Sequence, residues 1–376
     1  MTVAVSVSSP CTAISAHAGA LEQAAAADVL IFDVDGVLVD VNRSLRLVSC
    51  EAAQFYLTRV LHWQTKTYYV LPRDIALFKS AGGFNDDWDL TRALVLLYLV
   101  KAHKLAATHA ASLRRASPTI AQVTRSLRAS AGGYPGLQRM LLDPLGADAR
   151  AAILGKWDTE FIARIFKEHF AGARFCREFY GFEPEYYLGP AYIDRDRPLV
   201  DPALLACASW KIGLYTGRTL AEAKHAISLI GAGHLINWEH VVTADDSIYK
   251  PDPRGLEILA QRMGFRSAVF FGDMPDDAEA VRRYCRAGVP TPAAAGVAQP
   301  PCGLRSLGEV GSAVTPAPSP LVGEGRVGGN APRRPEILFA YVRSGRRADL
   351  WAVPDAHIET PSVNILLRAI LRRRGK

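Results

Sequence analysis

Apolar and polar positions change rhythm along this chain, and each change predicts a different kind of element. Val29 to Phe32 form a short unbroken apolar run, as expected of a strand buried on both faces of a parallel sheet. From Arg43 to about Tyr69 apolar residues, among them Leu47, Ala52, Phe55 and Val60, recur at helical spacing. A short helix opens at Leu71 and closes at Gly82-Gly83. Asn85-Asp86-Asp87 then offer N-caps and first-turn acids for a long helix to about Lys104. Ser117-Pro118 opens another helix, which the run from Ala131 to Gly136 breaks, and one more is expected from about Lys156 to Phe170. Pro184, Pro190, Pro198 and Pro202 mark a loop leaving this helical block.

After residue 205 the rhythm becomes strand, helix, strand, helix. Trp210 to Thr216, His240 to Thr243 and Ser267 to Asp273 read as strands. Helices are expected from about Leu220, from Lys250-Pro-Asp-Pro to Met263, and from Asp277 to Arg286. This alternation predicts an α/β chain with a parallel sheet covered by helices. Ala293 to Val297 and Asp349 to Pro354 are further candidate strands, and Val363 to Leu371 a closing helix. The Ala- and Ser-rich residues 1–27 read as a flexible leader. Residues 311–334 hold nine Gly or Pro in 24, so 311–335 is expected to be a linker or an insertion with no core of its own.

Composition narrows the partners. The net charge is +7, but ten Lys/Arg against four acids in residues 331–376 supply nearly all of it as a basic tail. Aromatics are not interleaved with these basic residues as a stacking platform would require, so nucleic acid is not expected. Six scattered cysteines without a C-x-x-C pair read as small buried hydrophobes in a reducing compartment. Neither a secretory signal nor a membrane span is expected, which implies a cytoplasmic protein. A homo-oligomer is compatible with the sequence.

Candidate chemistry sits at the ends of the strands. Asp33 and Asp35, two residues apart after an apolar strand, can address one group of atoms, and Gly36 lets the chain turn away. Two such charges repel, which suits one to a cation and the other to a proton. Thr216 and Gly217 end another strand just before a helix N-terminus, where a hydroxyl and close backbone approach suit a phosphate oxygen. Arg218 follows directly and is grouped with them. Lys250, ahead of Pro251, supplies a point charge to a phosphoryl group and to a nucleophilic carboxylate. Asp273 can join Asp33 at a Mg²⁺ site, Asp277 can hold Lys250 or a metal-bound water, and Asp276 reads as a capping or surface residue.

These four segments, Asp33-Val-Asp35-Gly-Val-Leu, Thr216-Gly-Arg, Lys250-Pro-Asp-Pro and Gly272-Asp273-x-x-x-Asp277, resemble the four ordered motifs of the haloacid dehalogenase-like hydrolases. The resemblance runs over about residues 28–299, and residues 336–371 are expected to continue it. It implies a Rossmann-like core, with Asp33 as nucleophile, Asp35 as acid/base, and Thr216 and Lys250 on the phosphate. Mg²⁺ would lie on Asp33, the main-chain carbonyl of Asp35, and Asp273. The gap of 183 residues between Asp33 and Thr216, against 34 and 23 for the next two, leaves room for one inserted domain. The expected layout is a core of 28–42 and 205–310, a helical cap of 43–204, and a strand and helix in 336–376 completing the core.

Asp35 argues against a dehalogenase, whose pattern lacks it. A phosphomutase and a catalytically silent binding module keep the fold and remain alternatives. Choice of a small phosphorylated metabolite is expected from Lys79, Gly82, Gly83, Asn85 and Trp88 in the cap. That segment is also similar to a small subgroup of capped members associated with histidine biosynthesis, which implies histidinol phosphate.

Overall fold

The computed structural model describes residues 2–5, 14–84, 86–130, 132–207, 210–287, 334–343 and 356–375. In chain order the first elements are β1 (Thr2–Val5), β2 (Ile14–His17), α1 (Ala20–Ala26), β3 (Val29–Phe32) and β4 (Val39–Asp40). A helical block follows: α2 (Leu45–Phe55), α3 (Pro72–Ala81), α4 (Asp87–Leu105), α5 (Ala110–Arg115), α6 (Ile120–Ser130), α7 (Gly133–Leu142), α8 (Ala147–Leu154) and α9 (Thr159–Tyr180). The chain returns through β5 (Arg197–Pro198) and α10 (Pro202–Ala206) to β6 (Lys211–Tyr215), α11 (Leu220–Ile230), β7 (Val241–Val242), α12 (Arg254–Met263), β8 (Ser267–Gly272) and α13 (Pro275–Arg286). Last come β9 (Glu336–Val342), β10 (Ile358–Thr360) and α14 (Val363–Arg373).

The main sheet has the order β1-β2-β10-β9-β8-β3-β6-β7, parallel from β10 to β7 and antiparallel at β1 and β2. β3 lies between β8 and β6, with Phe32 in register with Phe271 and Leu214. Its apolar run is explained by burial on both sides. Leu30 and Phe32 join one cluster with α1, α11 and α14, while Val29 and Ile31 join another with α12 and α13. The helical block has a third apolar cluster of its own, built from α2 to α9 around Leu94, Tyr98, Phe78 and Phe166. The chain crosses between block and sheet at a two-stranded ladder, where Val39 faces Pro198 and Asp40 faces Arg197. Among the described residues no helix is long and apolar enough to cross a membrane.

Several elements differ from the sequence reading. Residues 14–27 are not a flexible leader: β2 pairs with β10, and α1 buries Ala20, Leu21, Ala24 and Ala25 and packs on α14. Alanines that looked like filler are small enough to let two helices approach closely. The helix expected as far as Tyr69 ends in a π-turn over Tyr56–Val60. The last helix of the block runs on to Tyr180 and is interrupted at Gly172, where an added Cβ would lie 2.5 Å from the Ala191 nitrogen. The candidate strands at Ala293 to Val297 and Asp349 to Pro354 lie outside the described residues, as does the linker through residue 333.

Candidate active site

Three parallel strands end side by side, and the site is built on their carboxyl ends. The Asp33 amide continues the ladder by donating to Phe271 O at 2.9 Å, and the Thr216 amide does the same to Val242 O at 3.0 Å. After Asp33 the chain turns sharply, with Gly36 N–H donating to Val39 O at 2.8 Å. Gly36 has φ +75°, and an added Cβ would sit 2.0 Å from Asp273 Oδ2. Both the turn and the close approach of a carboxylate therefore require glycine here.

Lys250 is buried at the centre of this arrangement. Its Nζ lies 2.8 Å from Asp33 Oδ1 and 2.6 Å from Asp277 Oδ1. The other oxygen of Asp277 accepts the amides of Asp273 (3.1 Å) and Met274 (2.9 Å), which fixes the loop carrying Asp273. One carboxylate oxygen from each of Asp33, Asp273 and Asp277 falls within 4.8 Å of the others. Burial pushes the Asp33 carboxyl up to about 7, with Lys250 opposing and Asp277 and Asp35 adding to the rise. Asp273 is raised well above the usual carboxylate range by burial and by Asp277 and Asp33. Burial disfavours the Lys250 charge, but Asp277 and Asp33 outweigh it and hold the ammonium charged. Carboxylates that resist ionisation together form an all-oxygen donor set for a hard divalent cation. Asp277 is already committed to Lys250 and two amides, which leaves Asp33 and Asp273 as the candidate donors.

Asp35 faces a different partner. Its Oδ1 accepts from Arg218 Nε at 2.7 Å, and Arg218 Nη2 reaches Asp196 Oδ2 at 2.6 Å. Adjacency in sequence groups Arg218 with Thr216 and Gly217 for phosphate, but its guanidinium is buried between two carboxylates. Thr216 Oγ1 accepts the Arg218 amide at 3.2 Å, and Gly217 lines the cavity in front of Asp33.

The helical block roofs the strand ends over a cavity of about 90 Å³. Asp33, Asp35, Asp273 and Arg218 form its floor, and Arg46, Lys79, Asp86, Trp88 and Phe166 face them from the roof. Lys79 pairs with Asp87 at 3.1 Å, and the Trp88 ring meets Phe166 edge-on. Asn85 lies outside the described residues. Gly82 and Gly83 link α3 to this wall. The Gly83 amide donates to both oxygens of Asp276 (3.2 and 3.1 Å), and its carbonyl accepts from Tyr134 N at 3.2 Å. Asp276 is thus neither a cap nor a surface residue. It is 7% exposed and ties the core to the double-glycine turn. Sequence reasoning also passed over Asp196 and Ser44, which carried no local signal, and Arg46, one polar position on a helix.

The family model described as haloacid dehalogenase-like hydrolase matches residues 27–284. No curated protein matches the chain. Among solved structures it is similar to phosphatase Tt82 from Thermococcus thioreducens, at 24% identity over 69% of this chain and 88% of that one, with a TM-score of 0.45. It is similar to a hydrolase from Pseudomonas syringae at 16% identity, over 68% and 80% of the two chains, with a TM-score of 0.32. A protein titled a predicted phosphoglycolate phosphatase from Haemophilus somnus gives 12% identity, 69% and 82% coverage and a TM-score of 0.34. Likenesses this loose carry no argument about substrate.

Proposed function

The chain belongs to the haloacid dehalogenase-like hydrolases, and from that premise we propose that it is a Mg²⁺-dependent phosphatase of a small phosphate monoester. The observation that carries this reading is the buried contact of Lys250 with both Asp33 and Asp277, of which Asp33 lines the cavity beside Asp35. Asp33 is the nucleophile. As its oxygen bonds to phosphorus and the ester P–O bond breaks, Asp35 gives its proton to the departing oxygen, and an aspartyl phosphate forms. Asp35 then takes a proton from water, which attacks that phosphate and returns Asp33. Lys250 holds Asp33 oriented and offsets charge on the phosphoryl oxygens, while Thr216 and the Gly217 amide seat them. Asp33, Asp273 and the Asp35 carbonyl would hold Mg²⁺, which supplies positive charge to the phosphoryl oxygens.

Lys79, Gly82, Gly83 and Trp88 select the substrate from the roof, and histidinol phosphate is the first metabolite to assay. In a Mg²⁺-containing assay with p-nitrophenyl phosphate and a panel of phosphorylated metabolites, Asp33→Asn should lose at least about 10³-fold in kcat. Asp35→Asn should be severely impaired. An unchanged rate in folded Asp33→Asn refutes the mechanism.

A further inference from the structure

We propose that Asp196 and Ser44, on the two segments joining the helical block to the sheet, are positioning residues that act through Arg218 to hold Asp35 in place. This rests on the reading of Asp35 as acid/base.

Asp35 begins with little to hold it. Its side chain is 26% exposed, and a partly exposed aspartate has several rotamers open to it. The charge-assisted bond from Arg218 Nε at 2.7 Å selects one of them. Arg218 is itself fixed through its backbone: its amide donates to Thr216 Oγ1, and its carbonyl accepts from Ala244 N at 2.9 Å. Its guanidinium is only 3% exposed and needs compensation for leaving water. Asp35 supplies part of that through Nε, and Asp196 a further part through Nη2 at 2.6 Å.

Asp196 is fully buried and lies immediately before β5, one strand of the ladder at the crossing. Its second oxygen accepts the hydroxyl of Ser44, which lies immediately before α2 on the outgoing segment. The outgoing and returning segments are therefore joined by one carboxylate, and that carboxylate grips the arginine that grips Asp35. A planar guanidinium spans two carboxylates in one fixed geometry, which an ammonium cannot do. Any displacement of the block that draws Asp196 away from Arg218 frees the arginine to turn, and Asp35 with it. The acid is held for proton transfer when the roof is in the position described here.

Leaving-group dependence separates this role from a merely structural one. Expulsion of a strongly basic alkoxide needs the Asp35 proton, whereas p-nitrophenolate leaves without it. The value of kcat/KM reports the steps through release of the alcohol, in which Asp35 acts as acid. With Mg²⁺ present, Asp196→Asn should lose about 100-fold in kcat/KM on an alkyl phosphate and less than about fivefold on p-nitrophenyl phosphate. Ser44→Ala removes one hydroxyl and leaves every charge in place, so it is the milder of the two variants. It should show the same split, at about fivefold on the alkyl ester. Equal losses on both esters, in either folded variant, overturn the proposal. A wild-type protein inert on both esters overturns the phosphatase reading, and the positioning role falls with it.

Discussion

Replacing Gly83 by alanine should cost more than the backbone conformation alone explains. Gly83 has φ +74°, where an L-residue with a Cβ is strained by about 1–2 kcal/mol. The new methyl would also lie 2.6 Å from the Gly133 Cα, a main-chain atom that no side-chain rotation can move. Forcing the two turns apart adds an overpacking cost of about 1–3 kcal/mol. Gly181 provides the control, because its φ is +75° and an added Cβ meets nothing within 4 Å. Gly181→Ala should therefore lose about 1–2 kcal/mol and Gly83→Ala about 2–5 kcal/mol. Urea unfolding followed by circular dichroism measures both. Asp276 holds the Gly83 amide, so the larger defect should bring weaker catalysis, with Lys79 and Trp88 displaced on either side of the turn. Equal destabilisation of the two variants refutes the close approach of Gly83 to Gly133.

Two other expectations concern charge. Burial, with Asp89, Asp87 and Glu222 adding and Lys79 opposing, pushes the Asp86 carboxyl from 3.8 up to about 7. The folded state then binds more protons than the unfolded chain between these values, so stability falls as pH rises through that window. Asp86→Asn should match the wild type near pH 4 and exceed it by about 1–2 kcal/mol at pH 8, after allowance for solvent screening; an advantage independent of pH refutes this. Separately, a divalent cation that relieves repulsion between Asp33 and Asp273 should stabilise the fold, by about 2.7 kcal/mol at a hundred times its Kd. Mg²⁺ should raise the Tm of the wild type and leave that of Asp273→Asn unmoved; no shift in the wild type refutes the donor set.

The segments that build the candidate site were legible in the sequence where their signal is local. The apolar run before Asp33, the glycine after Asp35 and the strand-helix alternation around Thr216, Lys250 and Asp273 are each readable within a few residues. The structure brings these segments together because parallel strands in one sheet end at one edge. Partners distant in sequence were not legible. Asp276 looked like a capping residue, since an acid in the first turn of a helix ordinarily is one. Its actual partner, the Gly83 amide, lies 193 residues away. Arg218 was placed on phosphate by adjacency to Thr216-Gly217, but a side chain as long as arginine can turn either way from a strand end. Two buried carboxylates decided which. The alanines of α1 were misread because low hydrophobicity there reflects close packing on α14.

The ties between helical block and sheet differ in kind from what holds each together. The block has its own apolar cluster, and the sheet has one on each face. Among the described residues Val41 is the side chain packed against both the block's cluster and one of the sheet's, and Ala221 of α11 also touches the block. Phe175 and Phe179 of α9 also meet the His225 ring of α11 edge-on, and polar ties join Asp276 with Gly83, Ser44 with Asp196, and Tyr180 with Glu222. A hydrogen bond exchanged for water costs about 1 kcal/mol net, whereas exposing an apolar core costs far more. Among the described residues a few side chains, and no shared apolar core, therefore tie the block to the sheet. Each polar tie also ends beside something the site uses: the turn carrying Lys79 and Trp88, the Arg218 that holds Asp35, or the N-terminus of α11 behind Gly217. On the proposed reading of the site, any movement of the roof would act on the reactive groups through these same few side chains, and a substrate that holds the roof in place would thereby help assemble the site around itself.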